Sequence, residues 1–61
     1  MEECIIRTLK EYDGYFLSAK TIANYSELPF NEVEQELHKL AVENKIRRRF
    51  ELRGVCFAHI K

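Results

Sequence analysis

Apolar residues recur at helical spacing through the first two thirds of the chain and alternate with polar ones in the last third. Ile5, Ile6, Leu9 and Tyr12 form one stripe and predict a first helix over Glu2–Tyr12, with Glu2 and Glu3 at its positive end. Asp13-Gly14 ends it, Gly14 supplying a positive φ. The short aromatic run Tyr15-Phe16-Leu17 suits one small strand. Ser18 is a good N-cap for a second helix over Ala19–Tyr25, with Ile22 and Ala23 inward. Ser26-Glu27 turns the chain, Leu28 fills the turn and Pro29 leads into the third helix.

That third helix, over residues 32–43, has the clearest signals. Asn31 is the expected N-cap, Glu34 completes a capping box, and Phe30 can act as a hydrophobic staple. Val33, Leu37, Leu40 and Ala41 form its buried stripe, and Asn44 is placed to end it in the left-handed conformation.

Beyond Asn44 the period becomes two, predicting strands over Lys45–Leu52 and Val55–Ile60 around Gly54. A two-residue Arg53-Gly54 loop would set Cys56, Ala58 and Ile60 on the face of Arg47, Arg49 and Glu51. A three-residue loop, Leu52-Arg53-Gly54, instead groups them with Ile46 and Phe50, with Arg48 intruding. The glycine in the last loop position favours the second register. It places Arg47, Arg49, Glu51, Val55, Phe57 and His59 on the outer face.

Composition narrows the possibilities. With 46% hydrophobic and 33% charged residues, the 61 residues suit a single globular domain, 1–61, near the lower size limit for folding unaided. Cys4 and Cys56 lie far apart, and His38 and His59 add no zinc-like spacing, so no metal or cofactor is expected. No apolar run is long enough to span a membrane, and the start is acidic and helical where a signal peptide is basic and then apolar; a cytoplasmic protein is expected. The absence of a nucleophile elbow, a phosphate-cradling glycine loop and a paired acidic motif argues against an enzyme.

Zero net charge conceals a gradient. Residues 1–13 hold four acids against two bases and residues 14–44 five against two, whereas residues 45–61 hold one acid against six bases. The C-terminal segment therefore suits an anionic partner.

Three segments, LSAKTIA (Leu17–Ala23), LPFNEVEQELHKL (Leu28–Leu40) and ENKIRRRF (Glu43–Phe50), together with the terminal hairpin, resemble the winged helix-turn-helix superfamily. The likeness covers essentially the whole chain, whose length is similar to that of minimal stand-alone regulators of bacteria and phages, such as small fimbrial-operon regulators. It implies an α+β fold and a transcription regulator that binds double-stranded DNA, with helix 3 in the major groove and the hairpin 45–61 as a wing.

Each surface has its own chemistry. On helix 3, Gln35, Lys39 and Val42 face outermost. Gln35 suits adenine, Lys39 guanine or phosphate, and Asn31 and His38 phosphate. Glu32, Glu36 and Glu43 on the flank make a merely solvated face the alternative. Arg47 and Arg49 project together about two strand rises of ~3.3 Å apart, near the phosphate spacing of one DNA strand. With Lys45 and Arg53 they form an anion-binding wing, or else guard an edge strand against aggregation or pair internally with the acidic helices. Arg48 is expected inward, snorkelling or pairing with Glu11 or Glu36. Ser18 and Lys20 are further phosphate candidates, although Ser18 is already explained as a cap. Phe57, outward among charges, suggests the alternative function, an adaptor or inhibitor docking an acidic protein partner. A homodimer is a further expectation, because so small a domain reads little DNA alone.

Overall fold

The computed structural model describes residues 1–52 and 54–60. Three helices pack on a three-stranded antiparallel sheet in the order α1 (Glu2–Glu11), β1 (Leu17–Ser18), α2 (Ala19–Ser26), α3 (Phe30–Val42), β2 (Ile46–Glu51) and β3 (Gly54–His59). Strand β3 lies in the middle of the sheet, which runs β1-β3-β2.

The helices bury the stripes that their spacing marks: Ile5 and Leu9 from α1, Ile22 and Ala23 from α2, Val33, Leu37 and Leu40 from α3. Thr8 joins the α1 face because its hydroxyl donates to the Cys4 carbonyl at 2.9 Å, which satisfies the only buried polar side chain among the described residues. Tyr12 is half-buried and stacks on Tyr25, ring centroids 4.8 Å apart.

The caps explain where the chain turns. The Ser18 hydroxyl accepts the Thr21 amide at 3.2 Å and opens α2. Helix α2 ends with Glu27 at φ +58, while the amides of Glu27 and Leu28 return to the carbonyls of Asn24 and Ala23. Helix α3 ends the same way. Asn44, at φ +60, donates to Ala41 and Lys45 donates to Leu40, the paired bonds of a Schellman motif. Gly14 likewise takes its expected positive φ of +94.

The start of α3 differs from expectation. The helix includes Phe30, its N-cap is Pro29, and no side chain caps it. The ladder begins with the Val33 amide on the Pro29 carbonyl at 3.0 Å, so Asn31 is already inside the first turn and the Asn31–Glu34 capping box does not form. The first strand is also shorter and later than Tyr15-Phe16-Leu17, because only Leu17 and Ser18 find partners, Phe57 and Cys56.

The hairpin is the larger correction. Glu51 pairs with Gly54 and Arg48 with Phe57, leaving two residues between the strands rather than three. Partners across an antiparallel pair share a face. Ile46, Arg48 and Phe50 therefore lie with Val55, Phe57 and His59, while Arg47, Arg49 and Glu51 lie with Cys56 and Ala58. The expected facing of β2 holds, but that of β3 is inverted. Phe57 is 1% exposed in the core, not on the outer face that a three-residue loop implies. The physical reason is area: an aromatic ring removes far more apolar surface from water than Cys56, and its burial outweighs the loop preference that placed glycine last. Gly54 still uses its freedom, at φ +128, as the first residue of β3.

Candidate functional site

Opposite the Val33, Leu37 and Leu40 stripe, α3 exposes Asn31, Gln35, Lys39 and Val42. Glu32 and Glu34 are exposed on the same helix, Glu36 is half-buried, and Glu43 is exposed at the C-cap. Lys39 is thus the one cation on a helix with three carboxylates, and a fourth, Glu43, stands at its C-cap. A shallow depression between Met1 and α3 is lined by Glu32, Gln35, Glu36 and Lys39.

The second half of the site comes from β2 through a chain of contacts that begins in the core. Phe57 meets the His38 ring edge-on, centroids 5.4 Å apart. Nδ1 of His38 then lies 3.2 Å from the Arg48 guanidinium. Arginine can only donate, so this nitrogen accepts, and a protonated imidazole could not fill that role. Arg48 also lies over the Phe50 ring, 5.5 Å from its centroid. The result is a guanidinium held beside α3 by an imidazole that is itself braced on the core. Arg48 is on the helix-facing side, as the strand parity implies, and its head stays exposed, as snorkelling implies, but its partners are His38 and Phe50 and not Glu11 or Glu36.

Arg47 and Arg49 are elsewhere. They share the far face of the sheet, where their guanidinium carbons sit 5.8 and 4.0 Å from the centre of the Phe16 ring. Phe16 and Arg47 line a depression with Ala58 at its floor, and Ala58 is buried there although it faces away from the helices. Arg49 also pairs with Glu51 at 3.3 Å. Glu51 accepts a hydrogen bond from the Cys56 thiol, which holds its carboxyl below the usual range. Burial, then that same bond, pushes the Cys56 thiol above its ordinary value.

The other expected site residues are spread over the molecule. Lys45 is drawn into ion pairs with Glu2 at 3.2 Å and Glu43 at 3.6 Å, and its ammonium pKa is raised by the hydrogen bond to Glu2 and by both charges. This lysine ties the N-terminus of α1 to the end of α3, so its charge is partly spent within the fold. Ser18 is occupied as the α2 cap. Lys20 is exposed on α2, beside a depression lined by Ala23, Asn24, Leu28 and Phe30. Arg53 falls outside the described residues. Phe57 cannot be a surface anchor because it is core. Two residues that the sequence reading left out of the site, Arg48 and Phe50, join it instead. The signal that could have found them was the parity of β2, which already set both on the side of Ile46.

Among the described residues no group of three or more histidine, cysteine or acidic side chains could hold a metal ion. Among the described residues no helix is long and apolar enough to cross a membrane. No protein-family model, curated protein or solved structure matches the chain.

Proposed function

We propose that the chain is a winged helix-turn-helix regulator that binds double-stranded DNA. The observation that carries this reading is the position of Arg48, held beside the exposed face of α3 by His38. Three helices with a β1-β3-β2 sheet suit a winged helix, with β2 and β3 as the wing. In this reading α3 enters the major groove, Gln35 and Lys39 read base edges, and Arg48 neutralises a phosphate on the flank. Asn31 and Lys20 are outer phosphate contacts. Arg47 and Arg49, on the opposite side of the sheet, do not reach the same stretch of backbone. A dimer of this domain would double the few contacts that one copy makes, and sedimentation with and without DNA would reveal it.

Selection of binding sites from a random duplex pool tests base reading. Wild type is expected to enrich a defined sequence, and Gln35→Ala to lose preference at one position while keeping most of its affinity. Enrichment of no sequence, or the same sequence by both proteins, would overturn the assignment of α3 as the reader.

A second reading is favoured by a different observation. Val42, Phe50 and Leu52 are exposed apolar side chains, and α3 carries mostly acids. Such a surface suits a protein-docking module that does not bind DNA, anchored by Phe50 rather than Phe57. In that case duplex DNA is not bound even at low salt.

A further inference from the structure

Strand β2 is an edge. Its neighbour on one side is β3, and on the other no described residue pairs with it. It runs six residues, Ile46–Glu51, with everything after Ile46 exposed. Along the free side lies a row of unpaired backbone donors and acceptors, which is a template for another extended chain. No proline interrupts it, and every residue from Ile46 to Glu51 pairs one-to-one with β3, so no bulge turns the edge away.

The side chains select the occupant. Arg47 and Arg49 project to one face and Arg48 to the other, so an added strand meets positive charge on both faces. A second copy of β2 is a poor fit. Twofold pairing centred on Arg48 sets Arg48 against Arg48 and Arg47 against Arg49, and like charges directly opposite are destabilising. Sliding the centre to Arg49 pairs as many residues and sets Arg47 against Glu51, but it still leaves Arg49 directly against Arg49 and Arg48 without an acid. A segment with acids at alternating positions gains an ion pair where the second copy meets repulsion. Exposed Phe50, near the end of the strand, offers an apolar contact for one further side chain.

We infer that the free edge of β2 docks an extended acidic segment of a partner protein, which adds a fourth strand to the sheet beside Arg47, Arg48 and Arg49. This edge shares Arg48 with the side proposed to meet DNA, but its backbone row and its Arg47 and Arg49 lie outside that side, so the inference does not depend on whether α3 reads DNA. The arginines at this edge thus have two effects from one cause: they discourage self-association and they choose the partner.

The test uses isotope-labelled protein and a capped peptide of alternating glutamate and valine, followed by amide hydrogen exchange. Binding is expected to slow exchange about tenfold or more at those amides of residues 46–51 that point away from β3. The same peptide N-methylated at alternate positions keeps its charge but cannot form the ladder, and it is expected to bind at least about tenfold more weakly. Arg47→Glu/Arg49→Glu, with its fold checked by its amide spectrum, should reverse the preference toward a lysine–valine peptide. The inference is overturned if the two glutamate peptides bind equally, if β2 amides are not protected, or if the charge-reversed protein keeps its preference. It is also overturned if short duplex DNA gives the same amide protection, or if β2 becomes protected with rising protein concentration and no peptide, since the occupant would then be nucleic acid or a second copy.

Discussion

The two faces of the β2–β3 hairpin carry similar residue types and do different work. The face toward the helices holds Phe57 in the core and uses His38 to fix Arg48 beside α3. The far face has no helix over it and makes its own cover, with Phe16 laid under Arg47 and Arg49. Three consecutive arginines are therefore not one basic patch. Strand geometry divides them, and only the middle one stands beside the exposed surface of α3. Total charge in a segment says little about a binding face until the parity of the strand is known.

The largest effect that tests this division is in stability. Phe57→Ala empties the centre of the core and is expected to cost about 3–5 kcal/mol, enough to unfold much of so small a domain. Phe50→Ala, at a site 73% exposed, should cost less than about 1 kcal/mol. Urea denaturation of both proteins checks the contrast, and equal losses would mean that β3 faces the other way.

On the far face, Phe16→Ala removes the ring under two guanidiniums and uncovers Ala58. A loss of about 1–2 kcal/mol is expected, between those two, with Phe16→Leu recovering part of it because Leu restores cover but no π face. A loss below about 0.3 kcal/mol would show that the ring is only laid on the surface.

The smallest effect concerns the two thiols. Cys4 is exposed, whereas Cys56 is half-buried and donates to Glu51, with its pKa raised. A maleimide near neutral pH should label Cys4 well before Cys56 in folded protein, as mass spectrometry of the digested product would show. The linkage signs follow from burial of the thiol and from its bond to Glu51. The raised thiol pKa contributes stability that is present below the ordinary thiol value of 9.0 and fades as pH rises through and above it. The lowered Glu51 contributes in the opposite sense, present above the ordinary carboxylate value of 4.5 and lost as pH falls below it. Cys56→Ser labelling like wild type would agree with this order; equal rates at both thiols would place Cys56 on an open surface.

The helical half of the molecule was legible because several local signals coincide there. The apolar stripes of all three helices, the Ser18 cap, and the positive φ of Gly14 and Asn44 all stand as the sequence implies. The first turn of α3 was not, since Asn31 with Glu34 matches a capping box and yet the chain starts the helix at Phe30. A cap pattern states a local preference, and Pro29, extended at φ −60 and ψ 134 with its carbonyl taking the Val33 amide, fills the N-cap position two residues earlier. In the hairpin a shift of one residue inverts a whole face, and the loop chemistry around Gly54 pointed to the wrong register. Weighing the area of Phe57 against Cys56 and Ala58 would have corrected it. The candidate site is less legible than the fold, because charge alone points to the outer arginines, whereas Arg48 on the helix side is the one that stands beside α3.

The central claim is that Arg48, and not Arg47, lies on the DNA-binding side. The most direct measurement is binding to a mixed-sequence duplex over a series of salt concentrations, for wild type, Arg48→Ala and Arg47→Ala. The account predicts a measurable salt slope for wild type, a slope shallower by about 1 for Arg48→Ala, and no change for Arg47→Ala. A slope reduced by Arg47→Ala and untouched by Arg48→Ala would contradict it, as would no binding by any of the three at low salt.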